Sequence, residues 1–355
     1  MPGRPRTLIE DSTLKPSLPV PITRRLFVTL SALLLAACAQ LPPSGDPLPS
    51  WNDGPAKQAV VDFVRKTTDP ASPQFVPPAE RIATFDQDGT LWVEQPMYAQ
   101  VMFALDRVKA VVQARPALAA EEPYKTVLSG DRAAIARLGE ADLFKLVVAS
   151  QSGLTIEAFH QVVKEWMRSA RHPKVQRPYN ELVYAPMLEA MKYLRANGYR
   201  TVIVTGGGQE FVRAFAEATY GVPPEHVVGT LMKTEYVQRD GRPAIVNADG
   251  LVFVNDKANK ALAINTHLGR RPQAAFGNSD GDREMLEWTA AGGGARLAMI
   301  VLHDDAQREY GYGPAAGQPA SRIGTFTQPV YDQARAQGWF VISMKNDWKR
   351  VFAFD

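Results

Sequence analysis

Cysteine is nearly absent: the 355 residues contain one, Cys38. An intrachain disulfide is thereby excluded, and so is a cysteine-rich metal centre. A dominant charge of one sign is also missing. Lys and Arg number 40 against 37 Asp and Glu, a net charge of +3. No dense basic run marks a nucleic-acid binder, so no nucleic-acid partner is expected. No apolar run reaches the roughly 20 residues that a membrane-spanning helix needs. Disorder is excluded for the opposite reason, since 45% of the residues are apolar, as in ordinary globular chains. The length suits one large domain or two modest ones.

The lone cysteine has a telling context. Thr23 to Gln40 reads TRRLFVTLSALLLAACAQ. Arg24 and Arg25 precede a short apolar stretch and then small residues, the order of a signal peptide. The paired arginines resemble a twin-arginine export signal. Leu35–Cys38, LAAC, resembles a bacterial lipoprotein box. That resemblance implies export to the cell envelope or periplasm and a lipid on Cys38 that anchors the chain to the membrane. Residues 41–55, rich in Pro, Gly and Ser, read as an extended tether. The helical stripe of 56–68 follows.

The rest of the chain has the rhythm of an α/β protein. RIATF (81–85) is a short strand. A helix over 186–196 stops at Asn197-Gly198 and leads into the apolar strand RTVIVT. Gly206 to Gly208 read as a flexible turn, and 209–221 as the next helix. AIVNADGLVFV (244–254) predicts a hairpin turning at Ala248-Asp249-Gly250. A helix over 259–269, a strand breaking into an acidic turn over 273–282, and strands near 295–303 and 339–344 complete the pattern, which predicts a parallel sheet. Between 96 and 180 the pattern is helical instead, with helices over 97–113, 130–149 and 155–170. The expected organisation is a signal peptide (1–37), a tether with one helix (38–79), an α/β core (80–95 with 181–355) and a helical insertion (96–180).

Ligands in an open parallel sheet bind beyond the carboxyl ends of the strands. Here those ends carry polar residues: Asp86 and Asp88, then Thr205, then Asn278, Asp280 and Asp282. Two aspartates one residue apart repel each other unless they share a hard cation, which takes oxygen ligands. A carboxylate can also attack phosphorus, with a second acid to protonate the leaving oxygen. Gly89 lets the chain turn so that both face one space.

The set resembles the haloacid dehalogenase superfamily on its phosphatase side, closest to the phosphoserine-phosphatase-like branch. DQDGT (86–90) is similar to that superfamily's first motif, VIVTG (202–206) to its second, KALAI (260–264) to its third and AFGNSDGDREML (275–286) to its fourth. The resemblance implies a Rossmann-like core with a cap of the C1 type, formed here by the helical insertion. It implies Mg2+ as cofactor and a small phosphorylated substrate. Asp86 would be the nucleophile, Asp88 the general acid and base, Thr205 and Lys260 the groups that hold the phosphoryl. Lys257 competes with Lys260 for that role. The metal would be held by Asp86, Asp88, Asn278 and Asp282, with Asp280 as an alternative. The fourth motif departs from the family's pattern, having Asn278 where an aspartate is usual. Glu94, Gln95 and Gly206 are candidate substrate contacts, and Trp92 and His303 to Asp305 lie where a pocket mouth is expected. Phosphotransfer to another acceptor, or a binding protein that keeps only the fold, are the alternative readings.

Overall fold

The computed structural model describes residues 45–355. The export signal and Cys38 lie outside the described residues. The first described element is α1 (Pro55–Thr68), and β1 (Ile82–Phe85) follows. Helices α2 (Ala99–Ala114), α3 (Tyr124–Ser129), α4 (Arg132–Ala136), α5 (Glu140–Gln151) and α6 (Ile156–Ser169) then run without an intervening strand. The chain returns through α7 (Ala185–Ala196), β2 (Arg200–Gly208) and α8 (Gln209–Tyr220). Strands β3 (Val227–Arg239) and β4 (Arg242–Phe253) form a hairpin before α9 (Ala258–Leu268), β5 (Ala274–Gly277) and α10 (Arg283–Ala290). Strand β6 (Leu297–Leu302), α11 (Gln328–Ala336), β7 (Phe340–Ser343) and the short α12 (Met344–Asp347) close the chain.

The strands make one seven-stranded sheet in the order β4-β3-β2-β1-β5-β6-β7. All neighbours are parallel except the β3–β4 pair. This is the α/β, Rossmann-like architecture expected from the strand rhythm. Period-two alternation divides its core. Ala83, Phe85, Ile203 and Phe276 face one apolar cluster, while Ile82, Val202, Val204 and Ala275 face another across the sheet. Both faces are thus covered, as continuous apolar strands require. A third cluster joins Val101, Val108, Leu146 and Val147 of the inserted helices to Met232 of β3.

The sheet centre fixes the site. Strand β1 lies between β2 and β5, so the loops after these three strands meet at one edge. Asp86 donates its N–H to Phe276 O at 2.9 Å, which keeps the first loop in register with β5.

Four local expectations are corrected. The hairpin turns at Asp240-Gly241, where both residues have positive φ (53° and 72°), the geometry that two-residue hairpin turns prefer. Residues 244–253 belong to one strand; the second Asp-Gly pair, 249–250, sits in the irregular register between Met232↔Leu251 and Thr234↔Asn247. Gly206 to Gly208 are not a loose turn, because β2 runs through them to pair Gly208 with Thr230. Helix 130–149 is broken by a turn at 137–139 into α4 and α5. The tether is shorter than its composition suggests. Leu48 and Trp51 are buried, Trp51 packs edge-on against Trp348, and Trp51 Nε1 donates to Pro186 O at 2.9 Å. Two large apolar residues outweigh the Pro and Gly around them.

Candidate active site

Strand β1 ends in a tight loop that needs a glycine. Gly89 has φ +75° and donates its N–H to Trp92 O at 2.8 Å. A Cβ at this position would overlap the side chains of Asn278 and Glu94. The turn brings Asp86 and Asp88 to one cavity of about 420 Å³, together with Lys260, Glu94 and Gly206 to Gly208. The Trp92 indole N–H donates to Asp88 Oδ1 at 2.7 Å, so Trp92 both fills the core and orients the second aspartate.

Lys260 settles the choice between the two lysines. Its Nζ lies 2.5 Å from Asp86 Oδ1 and 2.6 Å from Asp282 Oδ1. Lys257 is exposed and precedes the first turn of α9 with φ +53°. One helical turn separates an outward lysine from the one that enters the site, a distinction that spacing alone cannot make. Asp282 has its other oxygen occupied as well, since Oδ2 accepts the backbone N–H groups of Asn278 (3.0 Å) and Ser279 (3.1 Å). It therefore anchors Lys260 and shapes the loop after β5.

Charges here are tightly confined. Burial pushes the Asp86 carboxyl up to about 8, with the Asp282 charge adding to it and Lys260 opposing. Burial pushes Asp88 up to about 6, against the Trp92 N–H and the Lys260 charge. Burial and the Asp88 charge hold Glu94 well above the usual carboxyl range. For Lys260 burial favours the neutral amine, but the charges of Asp282 and Asp86 outweigh it and keep the ammonium above its ordinary value.

Thr205 ends the straight part of β2. Its Oγ1 accepts the Gly207 N–H at 2.9 Å, leaving its own hydrogen free to donate. Three partners of this segment carry no motif. Asn255, fully buried, donates to Thr205 O (3.0 Å) and Val228 O (3.1 Å), tying the ends of β2 and β3. Thr230 donates to Gly206 O at 2.6 Å. Gln100, in the first turn of α2, accepts the Gly208 N–H through Oε1 at 2.7 Å. Only its position early in the first inserted helix, soon after the aspartate loop, offers a signal in the sequence.

After β5, Asn278 is buried against the aspartate loop. Its Oδ1 accepts from Thr90 Oγ1 at 3.1 Å, and its Nδ2 donates to Glu94 Oε1 at 2.7 Å. Asp280 faces away, accepting the N–H and hydroxyl of Thr327 at 2.9 and 3.1 Å. Gln95 is also directed elsewhere: its Nε2 donates to Ser321 Oγ at 2.8 Å. His303 is buried beneath the loop rather than at a pocket mouth, with Nε2 2.8 Å from Gly89 O and Nδ1 3.3 Å from Glu309 Oε2. Asp304 and Asp305 hold the chain's end, through Ser343 and Arg308. The far cavity wall is apolar and comes from α2, α5, β3 and the loop before α2: Met97, Val101, Leu143, Phe144, Val147 and Met232.

No curated protein sequence matches the chain. Among solved structures, the chain is similar to a conserved protein of unknown function from Anaerococcus prevotii, at 14% identity and a TM-score of 0.47, covering 70% of this chain and 86% of that one. It is similar to a protein of unknown function from Bordetella pertussis at 17% identity and a TM-score of 0.43, covering 74% and 98%. It is also similar to a phosphoserine phosphohydrolase-like protein from Francisella tularensis at 19% identity and a TM-score of 0.34, covering 64% and 89%. Residues 83–287 match the family model of haloacid dehalogenase-like hydrolases. That span is more than half of the sequence and contains every strand-end residue of the site, and the chain belongs to the haloacid dehalogenase-like hydrolase family.

Proposed function

We propose that this hydrolase cleaves phosphomonoesters of small metabolites through an aspartyl-phosphate on Asp86, with Mg2+ as cofactor. One observation carries the reading: Asp88 stands beside Asp86 in the cavity that Lys260 enters. A dehalogenase needs the nucleophile alone, whereas breaking a P–O bond leaves an oxygen that must be protonated.

An Asp86 oxygen attacks phosphorus as the ester P–O bond breaks, and Asp88 gives its proton to the departing oxygen. Asp88 then takes a proton from water, which attacks the same phosphorus and frees phosphate and Asp86. Lys260 has three N–H donors, of which two are held by Asp86 and Asp282; the third is available to the phosphoryl oxygens. The free hydrogen of Thr205 Oγ1 serves the same group. Glu94 and Gly206 also line this space.

The residues fit a hard cation. Asp86, Asp88 and Glu94 line one cavity, and the Lys260 ammonium there is paired with Asp86 and Asp282. Among the described residues no three His, Cys, Asp or Glu side chains converge on one point. Asp86, Asp88 and the Asn278 amide oxygen would hold the ion, with Asp282 committed to Lys260 and to the backbone of Asn278 and Ser279; the ion would supply positive charge to the carboxylates and to the arriving phosphoryl. The ester's organic part lies against the apolar wall of Leu143, Phe144 and Val147. Export and lipidation at Cys38 complete the proposal and rest on the sequence of residues 23–40.

The test is phosphate release from a panel of phosphomonoesters, with magnesium and with chelator, beside Asp86→Asn. Magnesium-dependent release that the variant loses is the expected result. No release from any ester by folded, magnesium-loaded protein overturns the reading.

A further inference from the structure

Gly89 follows Asp88 directly, and a glycine turn is loose unless the peptide groups on both sides of it are held. Both are held here. The Gly89 N–H donates to Trp92 O at 2.8 Å. The Gly89 carbonyl receives no backbone N–H from the described residues. Its partner is the ring of His303, 214 residues away in sequence, with Nε2 at 2.8 Å. A carbonyl only accepts, so Nε2 carries the hydrogen of this bond.

The ring is itself fixed. His303 directly follows β6, two strands from β1 in the sheet, and is 2% exposed. It stacks on Tyr312 with centroids 4.3 Å apart. Nδ1 faces Glu309 Oε2 at 3.3 Å, and Glu309 is buried too. One proton between these two atoms completes the chain, and a carboxyl so placed sets the orientation of an imidazole. The segment 303–312 is folded back on itself: the Tyr312 N–H donates to His303 O at 3.1 Å and the Glu309 N–H to Asp305 O at 3.0 Å. Lys174 pins the segment as well, donating to Ala306 O at 3.0 Å. Two apolar side chains would fill this place at lower cost than a buried imidazole and carboxyl. What the polar pair does that they could not is hold the peptide group between Gly89 and Thr90.

We infer that His303, oriented by Glu309, is a positioning residue: it locks the turn after Asp88 and so aims the Asp88 carboxyl at the leaving oxygen. The inference rests on the proposed role of Asp88. Neither His303 nor Glu309 is hydrogen-bonded to Asp86, Asp88 or Asn278; the pair acts through the backbone.

The test compares His303→Phe, which keeps a ring on Tyr312 but has no donor, with His303→Gln, whose amide N–H reaches toward Gly89 O. Two esters are used. The oxygen leaving an alkyl phosphate needs the Asp88 proton, whereas nitrophenyl phosphate releases a stable anion with little help. His303→Phe is expected to lower kcat about thirtyfold or more on the alkyl ester and about fivefold or less on the nitrophenyl ester, with KM within about twofold for both. His303→Gln returns the alkyl rate to within about fivefold of the parent. Equal losses on the two esters, unchanged turnover, or a glutamine variant no better than phenylalanine overturns the inference. Should His303→Phe fail to fold, Glu309→Gln is read by the same contrast: an alkyl-selective loss of about fivefold supports the pair, and equal losses or none overturn it. A second readout needs no substrate. Amide hydrogen exchange over residues 86–95 is expected to quicken about tenfold in His303→Phe and to slow again in His303→Gln. A parent that releases no phosphate from any ester sinks the phosphatase reading; faster exchange in His303→Phe then still supports the hold on the turn, and parental exchange overturns it.

Discussion

Gln100 Oε1 accepts the N–H of Gly208 at 2.7 Å, so the first inserted helix is fastened directly to the end of β2. The bond is buried, and a Cβ on Gly208 would overlap the Gln100 amide. The inserted helices are thus not hung on the core by their connections alone. They grip the segment proposed to receive the phosphoryl group.

Replacing this acceptor has a defined cost. Gln100→Leu keeps the side-chain size but leaves a buried N–H unsatisfied, a loss of about 1 to 3 kcal/mol. Expected are a lower unfolding midpoint in denaturant and a fall in kcat/KM of about tenfold or more, as the β2 end loses its fixed position. Gln100→Glu, which retains an acceptor, recovers part of both. A Leu variant with parental midpoint and turnover removes Gln100 from the site.

A second fastening is sensitive to acid. Glu210 of α8 accepts from His160 of α6 at 2.9 Å and from Arg213 at 2.7 Å. Burial raises the Glu210 carboxyl, but the His160 hydrogen bond and the Arg213 charge win and hold it below its ordinary value. A lowered folded value means that the stabilisation is present above the unfolded value, about 4.3, and is lost as pH falls through the folded one. Glu210→Gln is therefore expected to cost about 1 kcal/mol at pH 7 and progressively less below about pH 4. Urea unfolding of both proteins across that range checks it; a gap that widens in acid contradicts the sign.

The cavity wall predicts a preference among esters. Phe144 is 38% exposed although it lines the cavity, so an apolar substrate body would cover it. Phe144→Asp is expected to raise KM for aryl or alkyl phosphates by about tenfold, the scale of one buried side chain, with kcat within about twofold. Sugar phosphates should change little. Equal losses for both classes would place Phe144 in the support of α5 rather than in substrate contact.

Much of the fold and site is legible in the sequence, for identifiable reasons. Runs such as RIATF and RTVIVT are mostly apolar with no polar alternation, as strands covered on both faces are, and their ends carry the aspartates and Thr205. Lys260 and Lys257 are inseparable without the exact helix start, because residues three apart share a helix face, and only the backbone turn at Lys257, with φ +53° before the first turn, sends it outward. Gln100, Asn255 and His303 have no signature, as each acts through a backbone group far away in sequence: Gly208, Thr205 and Gly89. The hairpin turn is ambiguous in the sequence because two Asp-Gly pairs compete within eleven residues, at 240–241 and 249–250, and tertiary pairing selects the first.

The packing of Trp51 on Trp348 has a practical corollary. Trp348 also touches the ring of Tyr184, at 5.3 Å between centroids. The Tyr184 backbone N–H in turn holds Leu91 O, at 2.9 Å, in the turn that carries the two aspartates. The far carboxyl end of the chain is therefore a wall of the reaction chamber's foundation, braced against the loop that holds Asp88. Trimming the segment from Trp348 to Asp355 for crystallisation or tagging would act as a lesion of the centre, although that segment is far from Asp86 and Asp88 in sequence.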